Sequence, residues 1–410
     1  MSKKEKVTLV PKLRFQEYKN ASEWSKVKIG KYLKESRIKG SKGNTAKKLT
    51  VKLWGQGVRE KNEIQKGSEN TQYFQRQAGQ FIYSKLDFLN QAFGIVPDYL
   101  NGYESTVDLP CFDVDEGLDA RFLLEYVKRT IFYKKYGEMA DGGRIAKRIQ
   151  VDTFLGFPVY IPDIKEQQKI ADCLSSLYDL ITAEDKKLSA LRAHKEGLMQ
   201  KLFPAEGKTL PEWRFPEFRD CREWEETTLE RVADYENGKA HENDILERGK
   251  YIVVNSKFIS TDGEVKKYTD TANLLAQKGD ILMVLSDVPN GRAIAKCYLV
   301  DKNDTYTVNQ RICRLTPRNV NGSLLYYAIN RNSYFLAFDD GVKQTNLKKD
   351  DVLSCLVTLP KEKQEQQKIA DCLSSVDELI AAQAEKIEAL KTHKKGLIQG
   401  LFPSIEEVGK

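Results

Sequence analysis

Apolar residues recur at alternating steps of four and three along residues 166–204: Ile170, Leu174, Leu177, Ile181, Leu188, Leu191, Leu198 and Leu202, with Glu184 and Lys195 where two more are due. The pattern returns at Ile369, Leu373, Val376, Ile380, Ile387, Leu390, Leu397 and Leu401, interrupted by Gln383 and Lys394. A mean period of 3.5 is that of a two-helix coiled-coil seam. Matched interruptions favour the two segments packing on each other, and an antiparallel arrangement sets Glu184 and Lys195 at complementary depths. Some 30 residues before Gly197 or Gly396 predict a rod of about 45 Å. Leu180 and Leu379 widen the stripe toward a second face.

The two segments are copies. EQQKIADCLSS stands at 166–176 and again at 365–375, and 25 of the 39 residues from Glu166 to Pro204 recur at an offset of 199. A fainter echo pairs PKLRFQEYKNASEW (11–24) with PEWRFPEFRDCREW (211–224), and a short apolar strand ending in proline, VYIP or VTLP, precedes each long repeat. The chain therefore reads as a tandem duplication, and 410 residues exceed one ordinary core. The predicted fold class is α+β: two mixed α/β domains separated by a long antiparallel two-helix coiled coil, related by a pseudo-two-fold. The expected divisions are 1–157, 158–204, 205–356 and 357–410.

Residues ~20–150 and ~220–350 between these flanks do not align, as expected of inserts that recognise different things. In the second insert KGDILMVL (278–285) and AIAKCYLV (293–300) alternate like strands across SDVPNGR, a turn sequence whose tip exposes Asn290 and Arg292. SLLYYAINRNSYFLAF (323–338) reads as one helix, and DARFLLEYVKRTIFYKKY (119–136) as its counterpart in the first insert, where QFIYSKL and STVDLPCFDV are strand-like.

Charge narrows the partners. The formal net charge is +7, and residues 1–66 hold nineteen Lys or Arg against six Asp or Glu, which points to nucleic acid as the functional partner of a basic patch. The glycine-punctuated loop SKGNTAKK supplies Lys42, Asn44, Lys47 and Lys48, and TQYFQRQ supplies Gln72, Tyr73, Gln75 and Arg76. Gln, Asn and Arg make paired hydrogen bonds to purine edges, while Lys anchors phosphates. Arg144 lies in GGRIAKRIQVD, at the place of GVKQTNLKKDD in the second insert, which brings Lys343 and Gln344. That insert is near neutral, so its binding rests on local placement of Lys239, Lys257, Asn290, Arg292, Arg311, Lys343 and Gln344.

No run reaches the ~20 apolar residues of a membrane span, and no secretion signal follows the lysine-rich start, so a cytoplasmic protein is expected. Seven widely spaced cysteines without a CxxC pair read as thiols. There is no phosphate-binding loop, no adenine-methylation motif and no convincing nuclease triad; catalytic, cofactor and metal residues are all expected to be absent. His194 and His393, repeat equivalents, are expected to pack or cap.

The order of variable block, strand ending in proline, EQQKIADCL helix and LFP terminus, stated twice, resembles the DNA-specificity subunit of type I restriction-modification enzymes. GVKQTNLKKDDVLSCLVTLP (341–360) is similar to that family's segment before its scaffold helix; GGRIAKRIQVDTFLGFPVYIP keeps position and polarity but departs in wording. The resemblance implies a non-catalytic subunit whose two target-recognition domains each read half of a split double-stranded DNA sequence, with the helices as a ruler for the unread spacer. It implies docking of two methyltransferase subunits that use S-adenosylmethionine. Endonuclease subunits using ATP and Mg2+ would complete the assembly. A self-sufficient methyltransferase or nuclease with unfamiliar motifs, and a coiled-coil scaffold that binds only proteins, are the alternatives.

Overall fold

The structure, a computed structural model, describes residues 10–62, 67–138, 148–241 and 244–403. The chain divides into two compact units, residues 1–185 with 386–410, and residues 186–385. Each of two long helices, Ile164–Leu202 and Lys363–Leu401, contributes to both units.

Within the first unit the central sheet is antiparallel in the order Leu33–Ser36, Cys111–Val114, Phe81–Tyr83, Phe93–Ile95. Its aromatic core gathers Phe81, Tyr83, Phe112, Phe154 and Phe157. Within the second, the order Ala233–Asn237, Ile312–Pro317, Ile281–Val284, Cys297–Leu299 repeats the same topology. The inserts thus share a core sheet that their sequences conceal, because many apolar residues satisfy a buried strand equally well. What differs is attached outside it. The first unit adds a three-stranded sheet and the hairpin Leu49–Val51/Val58–Glu60; the second adds a four-stranded sheet whose strands Tyr251–Val254 and Tyr306–Val308 run parallel.

The two repeated motifs form one joint, built once in each unit. Arg14 of the faint echo donates through Nε to Glu166 (2.8 Å) and through Nη1 and Nη2 to the carbonyls of Ala21 and Ser22. Arg214 likewise donates to Glu365 (2.7 Å) and to the carbonyls of Cys221 and Arg222. The next residue, Gln167 or Gln366, accepts the N–H of the helix-capping Asp119 (3.0 Å) or Asn321 (2.9 Å) and donates to the carbonyl of Pro162 or Pro360. Lys169 and Lys368 lie over the Phe15 and Phe215 rings and pair with Glu17 and Glu217. Three letters of EQQK tie the long helix to its own unit in both copies: the glutamate and the lysine hold the arm, and the first glutamine holds the helix cap and the prolyl strand. One difference is local: the Trp224 Nε1 donates to Glu365, whereas the buried Trp24 Nε1 has no partner among the described residues.

In each unit the long helices pair antiparallel. In the first, Lys394 lies over Tyr178 and Lys386 donates to Glu184 (2.5 Å), so partner numbers fall on one helix as they rise on the other. In the second, Lys195 donates to both carboxylate oxygens of Asp377 (2.6 and 2.8 Å), and Leu202 joins the core with Ile369, Ala370 and Leu373. Three of the four interruptions of the apolar period, Glu184, Lys195 and Lys394, are these ion pairs and the stacked cation; the fourth, Gln383, is buried. Both helices run through Gly197 and Gly396, which do not end the rods as predicted; 39 residues each make about 58 Å. Anchoring decides this, since Leu401 and Phe402 are buried with Trp24 in the first unit and Leu202 with Trp224 in the second.

The helices predicted over 119–136 and 323–338 are each broken in two, as Ala120–Val127 with Thr130–Gly137 and Gly322–Ile329 with Ser333–Leu336. In the second, Arg331 takes φ +56° and Asn332 caps the new helix by accepting the N–H of Tyr334. In the first, the Arg129 guanidinium stacks on Tyr126 and Phe402 and donates to the Pro403 carbonyl at the break. His194 and His393 are exposed on the long helices, so neither packs as expected.

Candidate nucleic-acid interface

The candidate residues of the first unit gather on its accessory sheet, where Gln72–Gln75 pairs antiparallel with Lys39–Lys42 on one side and Glu104–Ser105 on the other. Glycines allow the close fit. A Cβ on Gly40 would stand 2.5 Å from the Glu104 carboxylate, and one on Gly43 2.5 Å from the Ser68 carbonyl. Glu104 is buried and accepts both the N–H (2.7 Å) and the hydroxyl (2.9 Å) of Ser41, which pins the basic loop to the sheet. From this base Lys42, Lys47 and Gln75 are exposed. Gln72 donates to the carbonyls of Gly40 and Tyr73, Asn44 donates to Glu69 (3.2 Å), and the buried Lys48 lies over the Tyr73 ring. Arg76 sits in the interior at 2% exposure, donating to Ser105 Oγ, to the Ser36 carbonyl (2.8 Å each) and to the Leu109 carbonyl. Its guanidinium positions the strands that carry the exposed residues. Arg144 lies outside the described residues.

In the second unit, loops separated by up to a hundred residues are stitched together by backbone hydrogen bonds. The N–H groups of Lys239, Leu285 and Leu347 donate to the carbonyls of Val308, Arg311 and Leu285 in turn. Strands Ser286–Asp287 and Thr345–Asn346 pair, and Asn290 donates across to the Gly341 carbonyl (3.1 Å). The expected turn is present, with Asn290 at φ +54°. Asp287 organises it by accepting the N–H groups of Val288, Ala293 and Ile294, and a Cβ on Gly291 would collide with its carboxylate. This brings Asn290 and Arg292 beside Lys343 and Gln344, all exposed; Gln344 donates to Ser286 Oγ (2.7 Å). Lys239 and Arg311 are exposed on adjoining loops. Lys257 is exposed on the short helix Ser256–Ser260, which follows the Val254 end of its strand. Sequence reasoning missed Asn346 and the docking of 341–346 on the 286–292 turn; a two-residue bridge spanning some 60 positions leaves no periodic trace.

Each unit thus presents clustered amide donors and acceptors among cations, the side chains that address base edges and phosphates. Among the described residues no group of three His, Cys, Asp or Glu could hold a metal ion, and no helix is long and apolar enough to cross a membrane. All seven cysteines are free thiols, and burial pushes those of Cys111, Cys313 and Cys355 up to about 12.

Residues 222–392 match the family described as "Type I restriction modification DNA specificity domain". The type I restriction enzyme MjaVIII specificity subunit of Methanocaldococcus jannaschii is 24% identical over 270 residues, 61% of this chain; the match spans 62% of that relative's length. In fold, the chain is similar to the type I restriction-modification S subunit of M. genitalium, with a TM-score of 0.64 at 16% identity over 97% of this chain and all of that one. A second similar chain comes from a structure described as the basis of "complex assembly" and "conformational transition of the type I R-M system", with a TM-score of 0.51 at 16% identity over 93% of this chain and 98% of that one. Two β-rich units joined to a pair of packed long helices are the architecture these chains share, and residues 222–392, in the second half of the chain, are those that match the type I restriction modification DNA specificity domain.

Proposed function

We propose that this chain is the non-catalytic, DNA-reading subunit of a type I restriction-modification enzyme and that it reads a split target, one half-site per unit. The observation that carries this reading is the contrast between what is duplicated and what is not. The joint, the core sheet and the helices are built twice alike, whereas the accessory sheets and loops that hold Lys42, Lys47 and Gln75 on one unit and Asn290, Arg292, Lys343 and Gln344 on the other differ. Equivalent mounts with unlike readers suit an asymmetric bipartite sequence. Residues 1–157 and 205–356 are the two target-recognition domains, and the helical segments 158–204 and 357–410 set the spacer between half-sites. The exposed Tyr178, Leu180 and Leu379 suit docking of two methyltransferase subunits. Those subunits would bring S-adenosylmethionine, and endonuclease subunits ATP and Mg2+.

The test is an exchange. Replacing residues 20–150 by the corresponding block of another specificity subunit, in cells carrying the full system, changes one half of the methylated sequence and leaves the other half and the spacer intact. A change in both halves, or in neither, refutes the assignment of one reader to each unit.

A further inference from the structure

The duplication places the same niche in both units, beside the long-helix pair and the break in the recognition-domain helix. In the first unit it is a groove of about 1010 Å³ lined by Lys12, Lys128, Arg129, Lys391, Lys394 and Lys395 over a floor that includes Leu13, Ile398 and Phe402. In the second it is a smaller groove of about 400 Å³ lined by Arg192, Lys195, Glu196, Met199, Tyr327 and Asp377. The two are built alike: Leu13 donates its N–H to the Gly400 carbonyl as Trp213 does to Lys201.

Their charges are not alike. Lys12, Lys395 and Tyr178 of the first niche are replaced at the equivalent positions of the second by Glu212, Glu196 and Asp377, and Lys128 by Asn330. Asp377 neutralises Lys195 at 2.6 Å, whereas the equivalent Lys394 lies over the Tyr178 ring at 4.9 Å with no carboxylate partner among the described residues, and its amine is pushed below its ordinary value by burial. Arg331 spends its guanidinium on the Arg292 and Ile294 carbonyls; Arg129 keeps a buried Nη2 with no hydrogen-bond partner among the described residues. No carboxylate lines the first niche among the described residues; outside the lining Glu125 pairs with Lys128 at 2.8 Å and Glu388 with Lys391 at 2.9 Å. Lys12, Arg129, Lys394 and Lys395 have no ion pair among the described residues; holding four such cations around one cavity costs free energy, and a buried N–H donor left unsatisfied costs more. The second unit avoids that cost with its own side chains; among its described residues the first does not.

We infer that the groove between Lys12, Arg129 and Lys391–Lys395 is an anion site for phosphate groups, either of a soluble polyphosphate or nucleotide or of a nucleic-acid backbone. The guanidinium supplies a fixed donor and the lysines adjustable ones, the combination suited to an anion with several oxygens. The site lies apart from the base-reading loops, so it can be tested without knowing which bases are read.

The measurement is calorimetric titration of the full-length chain with pyrophosphate, and separately with a short duplex of arbitrary sequence, at fixed ionic strength. The variant is Lys12→Glu with Lys395→Glu, two exposed positions that take the second unit's charges; an unchanged thermal unfolding profile confirms its fold, and Lys391→Gln is the milder second variant. Saturable pyrophosphate binding that weakens roughly tenfold in the variant assigns the free anion. If the chain ignores pyrophosphate but the variant loses affinity for the duplex, the phosphate donor is DNA. If both variants match the parent with both probes, the site does not exist.

Discussion

Arg14 and Arg214 show how much a single side chain carries here. Each is nearly buried against a fully buried glutamate, and each glutamate holds the guanidinium above its ordinary value through hydrogen bonds. Replacing either arginine by methionine keeps most of the packing but strands a carboxylate in the interior, which costs about 3 kcal/mol. Denaturant unfolding reads this as a lower midpoint for Arg14→Met and Arg214→Met; an unchanged midpoint would show the joint to be dispensable. The sequence displayed both arginines and both glutamates in repeated motifs, yet it did not pair them. A contact across 152 residues has no local period, and only folding brings the arm onto the helix. The same holds for Arg76, a chemically apt base reader that the fold encloses as a brace.

At the level of elements, hydrophobic period was a good guide to the long helices and a poor one to their ends. The 3.5-residue spacing revealed two rods and their interruptions, because that spacing follows from helical geometry alone. Where the rods stop depends on what their last turns meet, and Phe402 and Leu202 meet apolar cores. If the helices act as a ruler, inserting four residues between positions 170 and 190 adds about 6 Å, or about two base pairs of B-form DNA. Sequencing of methylated adenines in cells carrying the altered subunit should show a longer spacer with unchanged half-sites; an unaltered spacer removes the ruler from the proposal. The broken helices at 128–130 and 330–332 were missed because apolar residues run on either side of the break, though Asn330 and Asn332 were a readable capping signal.

For the whole molecule, if the two units read DNA as proposed, the basic excess of residues 1–66 and the near-neutral second insert predict unequal electrostatic contributions to binding. Affinity of the assembled subunit for its target should fall steeply with salt, and neutralising Lys42 and Lys47 together should reduce the slope by about two. Titrations at several salt concentrations check this, and a salt-independent affinity would favour a scaffold that binds only proteins. The accessory sheets matter at this scale too: they set elements of different shape on a common core sheet, so that in the proposed reading specificity can change without disturbing the joint.

By itself the sequence determined that the chain is duplicated, that each copy ends in a long amphipathic helix, and that the inserts diverge, since repeats and periods are local and survive inspection in one dimension. Tertiary structure alone decided that the divergent inserts share one sheet topology, that the two echoes form a single joint, and that one of two equivalent niches is left uncompensated. Those facts depend on pairings between residues far apart in the chain, and many sequences can satisfy the same buried strand while few positions announce what they will face.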